Sequence, residues 1–534
     1  MVRSSILDAV HQALEELGVD HVPPGVTVER PANPDHGDWS TNAALVCAKQ
    51  AKKNPRQLGE ELMTALEEAE LPHVEGLEIA GPGFINIRLA PSWLHETLRE
   101  VVTQGTESYA RSDIGAGIDV NLEFVSSNPT GPLHAGGGRW GAFGDSLARI
   151  LHRCGYQPHK EFYINDRGSQ TALFGLSLSA RKGGKEVPEG GYRGDYVTEW
   201  AMEMPDTADP TTWGIGRALQ EVEESLAAMH VRFDTWSSEK ALVESGAVER
   251  TLEQLRDSGH VYVKDNATWL ATSELGDDKD RVLIKADGEY TYLLPDIAYH
   301  HDKYNRGDII IDILGADHHG YVPRMRAALI FLGHEPNEYE AIIGQNVKLM
   351  RGGEEVKLSK RTGDIIAVDE LISELGPDVT RFAYLLQSID TTQTIDIDLW
   401  KAQASENPVF YVQYAHARIH AIGVEAARRG IERHRLEQVD LSGLVDPNEL
   451  AVLRHLLELE DALVSAARDR APHRMTTWVR ELAAGFHSFY THCPVLRSDV
   501  DPQLQQARLW LVEACRVGLS IGLDLLGVEA PERM

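Results

Sequence analysis

Residues 123–139, EFVSSNPTGPLHAGGGR, have the composition of a segment that could hold an anion. Pro129 and Pro132 hold the connection extended, His134 stands at a predicted helix entry, and Gly136, Gly137 and Gly138 remove side chains where a flat or anionic group could lie on the backbone. A helix start offers free N–H donors and a partial positive charge, so a phosphate is favoured there, and the imidazole adds a directional donor. A second segment, VKLSKR at residues 356–361, sets three cations and a hydroxyl between Gly352-Gly353 and Gly363. Such a loop can neutralise a triphosphate and close over it as pyrophosphate leaves. Each segment also has a plainer reading. Gly136, Gly138 and Gly141 match the dinucleotide pattern G-x-G-x-x-G, with Glu161 placed 20 residues further on. That pattern needs a tight strand-to-helix turn, whereas here two prolines intervene. The same glycines suit a close helix contact, and a charged loop suits a solvated turn.

Secondary structure must bring these segments together. Strands are predicted over residues 120–125, 160–164, 309–314 and 341–343, with a helix over 140–153, and such alternation predicts a parallel sheet covered by helices. Before it, an amphipathic helix from about Ser4, a loop rich in Pro and Asn, and a strand over 84–89 read as an α+β module. Between about residues 167 and 266 the strand signal fades into polar helices with glycine and proline breaks, the pattern of an insertion. After about Ser405 the chain turns helical, with Val512, Cys515, Leu519, Leu523 and Leu526 on one apolar stripe. The expected organisation is residues 1–112, residues 113–404 with the insertion, and residues 405–534.

Composition bounds the function. The chain has 534 residues, 42% hydrophobic and 25% charged, enough to bury several cores. No apolar run approaches the roughly 18 residues of a membrane span, and residues 309–314 are interrupted by Asp312. The N-terminus lacks the pattern of an export signal. Cys47, Cys154, Cys493 and Cys515 form no C-x-x-C pair, which argues for a reducing cytoplasm and against a thiolate zinc site. Lys plus Arg number 52 against 82 Asp plus Glu, a net charge of −30 that repels polyanions. A nucleic-acid partner must therefore meet local basic patches, of which residues 416–435, with Arg418, and 468–480, with Arg474, are the candidates. Most aromatics near them are expected in the core. His300-His301 and Asp317-His318-His319 are neighbours that do not share a helix face, and no third ligand is suitably spaced, so no protein-held metal is predicted. Tyr292 and Asp296 are spaced i,i+4 on one helical face, and from spacing alone they read equally as a core tyrosine and a helix cap near Pro295.

HAGG after a first strand and KLSKR after the last resemble the HIGH and KMSKS signatures of class I aminoacyl-tRNA synthetases. No GxxxxGK[ST] loop is present. The longer words EFYINDRGSQ, GADHHGYVPRM, NPVFYVQYAHARI and the terminal GLDLLGVEAPERM are similar to arginyl-tRNA synthetases from end to end. The resemblance implies a multidomain α/β protein. A class I Rossmann-like parallel-sheet catalytic domain would lie between an N-terminal tRNA-contacting α+β module and a C-terminal all-α anticodon-binding bundle. It implies ATP-dependent attachment of L-arginine to its tRNA through an arginyl-adenylate, with activation requiring bound tRNA. ATP would lie against His134, Gly136 and Gly137, with Lys357, Ser359 and Lys360 on the phosphates and Lys360 serving the transition state. Mg2+ would ride on the nucleotide.

A guanidinium is a planar fork of donors with a permanent charge, so selecting it requires fixed carboxylates. By resemblance, Glu123 and Asn128 hold the polar ends of arginine, Tyr292 and Asp296 contact the guanidinium, and Asp317 adds a further contact. Arg418 and Arg474 in the bundle, and Asn33 in the stretch PANPDHGDWSTNAA, are the expected tRNA contacts. A cytoplasmic monomer with no membrane partner is expected. The chain departs from the family where Gly137 replaces the second signature histidine, which removes a donor near the α-phosphate, and where Leu358 replaces the loop methionine. The alternatives are another class I specificity for cysteine or glutamate, a nicotinamide-dependent oxidoreductase, and a non-catalytic tRNA-binding paralogue.

Overall fold

Residues 2–19, 21–31, 33, 36–356, 366–402 and 406–534 are described by the computed structural model. They gather in two compact units: Met1–Glu107 with Ile422–Leu457 and Gly485–Val517, and Ser108–Ala421 with Glu458–Ala484 and Gly518–Met534. The terminal helical stretch is thus shared between the units.

In the first unit, four antiparallel strands run in the order Val28–Glu29, Trp39–Thr41, Phe84–Leu89 and Val74–Ala80. Ile85, Ile87 and Leu89 alternate inward to a core shared with Leu58 and Leu62 of helix Pro55–Glu68. That helix starts where the sequence signals it, with Asn54 accepting from the Arg56 N–H and Pro55 in the first turn. His95 Nε2 lies 3.0 Å from the Leu444 carbonyl and Arg99 donates to the Leu436 carbonyl at 3.1 Å, so the N-terminal module is stitched to the Ile422–Leu457 helical segment.

The second unit carries the parallel sheet. Among the described residues it has five strands: β1 (Asp119–Glu123), β2 (Gln157–Ile164), β3 (Thr235–Ser238), β4 (Ile309–Gly315) and β5 (Tyr339–Gly344), arranged β5-β4-β1-β2-β3 with every pair parallel. Val120, Leu122, Ile310 and Ile311 are buried, as strands covered on both faces require. The expected strands at 120–125, 160–164, 309–314 and 341–343 are all present. One was missed: β3 falls inside the span read as an insertion, because its sequence, TWSS, is short, polar and half-buried. The polar helices between β2 and β3 are Ser169–Lys182, Asp195–Glu203 and Pro210–Ala228.

Chain order reverses between β1 and β4, and ligands of open α/β sheets bind at the carboxyl ends of strands at such a switch point. Helix α1 (Ala135–Arg153) follows β1. Its far end is anchored by charge. Buried Arg381 donates to Asp145 at 2.8 Å and to the Leu526 and Met229 carbonyls, while Ser146 donates to the Leu525 carbonyl. Burial alone would raise the Asp145 carboxyl, but Arg381, Arg149 and Lys160 bring it down to about 2. All four cysteines are buried and free. No helix among the described residues is long and apolar enough to cross a membrane.

Candidate active site

Register places three carboxylates side by side on adjacent strands, at the carboxyl end of β1 and in mid-strand on its neighbours: Glu161 on β2 opposite Glu123 on β1, and Glu123 opposite Asp312 on β4. All three are buried. Like charges so placed are tolerable only with partners, and one helix supplies most of them. On α2 (Leu293–Lys303), Lys303 pairs with both Glu123 and Asp312, at 2.5 Å from the latter, and His300 Nε2 lies 2.7 Å from Asp312. Just past α2, Arg306 donates two hydrogen bonds of 2.9 Å to Glu161. The Tyr299 hydroxyl lies 2.9 Å from Glu123 and 3.1 Å from Glu161, and its ring packs on Tyr163 at 4.3 Å between centroids. Burial alone would raise Glu161, yet hydrogen bonds from Arg306, the Lys303 charge, Ser237 and Asn121 pull it down to about 2. Burial likewise opposes ionisation of Asp312, and Lys303 with His300 holds it well below the usual carboxylate range.

Above this row sit the residues expected to meet arginine. Asp296 is half-buried in the first turn of α2, its N–H 3.4 Å from the Tyr292 carbonyl. Burial pushes its carboxyl up to about 6; Glu239 and Glu123 add to the rise, while His300 and a hydrogen bond from Tyr321 oppose it. Tyr292 stands at the lip of the helix, 84% exposed. Asn128, on the loop after β1, donates to Gln170 at 2.8 Å. Asp317 is set apart: it lies on the turn Ala316–His318 with its side chain 86% exposed, 3.8 Å from His318.

The partners beneath the slot escaped the sequence reading. One signal was available, since Asp312 interrupts an apolar strand and a charge buried there must be paired. Glu239 also went unnoticed. It opens helix Glu239–Glu244 directly after β3, and burial raises its carboxyl against the pull of Arg167.

At the other end of the site, His134 caps α1, its Nδ1 accepting from the Gly137 N–H at 3.0 Å. The ring hydrogen is therefore on Nε2, the nitrogen able to donate to a ligand. The Ala135 N–H donates to the Ile366 carbonyl and the Val368 N–H to the Leu133 carbonyl, so the chain leaving the lysine loop docks against this turn. Lys357, Ser359 and Lys360 lie outside the described residues. Gly352 and Gly353, which flank them upstream, form a two-residue turn with φ of +59° and +82° joining Val347–Arg351 to Glu354–Val356. The glycines of α1 divide by task. A Cβ on Gly138 would come within 3.0 Å of Tyr384, and one on Gly144 within 2.2 Å of Phe124, so these serve close packing. Gly136 and Gly137 belong to the mouth, where a Cβ at 137 would meet the tip of Leu133 at 2.6 Å.

Among the described residues no group of three or more His, Cys, Asp or Glu side chains could hold a metal ion. His301 is paired instead with His334, Nδ1 to Nε2 at 2.8 Å.

Of the expected RNA contacts, the Arg418 guanidinium lies over the exposed Tyr414 ring at 4.4 Å, and Phe410 stacks parallel to Tyr414. Arg474 is paired with Asp469 at 2.5 Å, and Arg428 and Arg429 both clamp Glu425, so much of the local positive charge is internally answered. Trp478 and Phe489 are core, whereas Tyr490 is exposed. Asn33 is an exposed loop residue whose carbonyl accepts from His36. Beside it, a cavity of about 460 Å³ is lined by Arg30, His36, Asn42, Phe84 and Asn86.

Three family descriptions match: Arginyl tRNA synthetase N terminal domain over residues 4–89, tRNA synthetases class I (R), catalytic domain over 209–400, and DALR anticodon binding domain over 412–534. An arginine–tRNA ligase of Shouchella clausii is 42% identical over 553 residues, covering 100% of this chain and 98% of that protein. Another, from Carboxydothermus hydrogenoformans, is 43% identical over 554 residues, covering 100% and 96%. The solved arginyl-tRNA synthetase of Thermus thermophilus shares the fold, with a TM-score of 0.76 at 23% identity and 100% of each chain covered.

Proposed function

The chain belongs to the arginyl-tRNA synthetase family, and from that premise we propose how its site divides a two-step reaction. The enzyme uses ATP to attach arginine to its tRNA. In the first step the arginine carboxylate attacks the α-phosphate in line and pyrophosphate leaves. In the second, a ribose hydroxyl at the tRNA terminus attacks the arginyl carbonyl of the adenylate and AMP leaves. Neither step needs a covalent bond to the protein, so catalysis is placement and charge neutralisation.

In our reading, Asp296 takes the guanidinium, with Tyr292 closing over it from the lip, and Glu123 and Asn128 take the amino-acid end. Asp317 would reach the substrate only by a move of its exposed turn. His134 donates from Nε2 to the phosphates at the start of α1, against Gly136 and Gly137, while Lys357, Ser359 and Lys360 follow the departing pyrophosphate. Mg2+ arrives on the nucleotide. The observation that carries the proposal is the acidic row of Glu161, Glu123 and Asp312, whose middle member closes β1, the strand that leads into the His134-capped helix.

We assign residues 1–112 and 405–534 to tRNA contact and residues 113–404 to catalysis. The Tyr414–Arg418 pair suits stacking of an unpaired base, and so does the Phe84 cavity beside Asn33. Arg474, held by Asp469, would contact the backbone only by exchanging that partner. A monomer working in the cytoplasm completes the proposal. Pyrophosphate exchange with arginine, run with and without cognate tRNA, tests it: exchange that depends on both supports the assignment, and exchange driven by another amino acid overturns it.

A further inference from the structure

His300 lies one helical turn beyond Asp296 and is buried. Its Nδ1 is 2.7 Å from the Asp296 carbonyl oxygen and its Nε2 is 2.7 Å from Asp312 Oδ2. The ring therefore bridges a main-chain carbonyl on its own helix and a carboxylate on β4. Tyr299, Tyr321 and Tyr339 wall it in, the last two with centroids at 6.1 and 5.8 Å. Asp312 also takes Lys303, which pairs in turn with Glu123. A chain of charged hydrogen bonds thus runs beneath the slot from the backbone of Asp296, at the guanidinium end, to Glu123, at the amino-acid end. Lys303 faces Asp312 and Glu123, Arg306 faces Glu161, and Glu239, Glu123 and the Tyr321 hydroxyl are the other groups acting on Asp296.

We propose that His300 is a positioning residue for arginine selection: without touching the substrate, it spans the Asp296 carbonyl and the Asp312 carboxylate and fixes the helical turn that aims Asp296. This rests on the reading of Asp296 as the guanidinium contact. Burial pushes the Asp296 carboxyl up to about 6 and His300 opposes that rise, so loss of His300 lets Asp296 become neutral at a higher pH.

The test uses the full-length enzyme with its tRNA. H300Q retains a donor and loses the ring that spans the two oxygens. Its arginine KM rises about tenfold near neutral pH, since a misplaced contact costs binding steeply, while kcat and the ATP KM stay within about twofold. The acid limb of kcat/KM for arginine moves toward neutral pH. D312N removes the anion that answers Nε2 and gives the same two signatures, and the double variant is no worse than the worse single variant, as a shared chain requires. A merely structural histidine would change thermal stability and kcat and leave the acid limb in place. If D296N does not raise the arginine KM, the reading of Asp296 is wrong. If D296N raises it but folded H300Q and D312N move neither KM nor the acid limb, the positioning role is overturned. Should H300Q fail to fold, D312N decides alone.

Discussion

At the end of the site that we assign to arginine, strands β2, β1 and β4 deliver Glu161, Glu123 and Asp312 in register, and α2 with the turn after it answers them with His300, Lys303 and Arg306. At the nucleotide end, the described residues offer one imidazole, backbone donors and the absence of side chains. The first end is wired before substrate arrives; in our proposal the second is completed by Lys357, Ser359 and Lys360 as ATP enters and pyrophosphate leaves. The contrast follows from the ligands. Arginine must be selected by a fixed array of charge, because a charge left unpaired in a buried site is costly and therefore discriminating. A triphosphate is held at a helix start by donors that any sequence supplies, so its selection needs few side chains. Rigidity is concentrated where specificity is required.

If the nucleotide end works by added cations, removing one should reduce turnover more than any other single change. Lys360→Ala is expected to lower kcat by about 10²–10³-fold, the scale of a lost transition-state contact, with little change in the arginine KM. An unaltered kcat would take that lysine out of the mechanism. If the arginine end is wired in advance, cutting a wire should show as instability. Arg306→Met leaves Glu161 buried without its guanidinium but still hydrogen-bonded by Ser237, Asn121 and Tyr299, and urea unfolding should report a loss of about 2–4 kcal/mol, largely restored by adding Glu161→Gln.

Acid separates the two kinds of carboxylate at the arginine end. Asp296 is raised, so its neutral form is favoured in the fold, and acidification through about 6 costs arginine binding without costing stability. Glu161 is depressed, so its contribution is present above its ordinary value of 4.5 and is lost as pH falls toward 2. Steady-state rates should therefore show kcat/KM for arginine falling by about tenfold per pH unit below about 6, while the melting temperature holds until about pH 4.5. Coincident losses of activity and stability would merge the two roles.

How much of this was legible follows the same division. His134 and the glycines are consecutive in the chain, so the helix start could be read directly, although Gly138 and Gly144 turned out to serve packing. The sheet was legible except for TWSS, whose four residues carry no apolar run. The acidic row was not legible as a row, because register across three strands, from Glu161 to Asp312, is fixed only by the folded sheet. The partners Tyr299, His300, Lys303 and Arg306 do recur at helical spacing, yet nothing in that spacing says that the carboxylates they meet are buried. Asp317 drew its expected role from resemblance alone, and its side chain points to solvent.

The smallest effect concerns the missing histidine. A Cβ at position 137 would meet Leu133 Cδ1 at 2.6 Å, the far end of a buried side chain whose backbone is pinned by the Val368 N–H. Gly137→His alone therefore forces Leu133 out of its rotamer, a strain of about 1–3 kcal/mol, and the ATP KM should rise by a few-fold. Leu133→Ala opens the space, so in the double variant the imidazole can enter and add a donor near the α-phosphate, and kcat should recover to wild-type or rise about two- to fivefold. The order of those two outcomes is the measurement. If Gly137→His alone equals the double variant, Leu133 is not what fills the place of the absent side chain. If neither changes the ATP KM, the nucleotide end does not reach position 137 at all, and the helix start must hold its phosphate through His134 and Gly136.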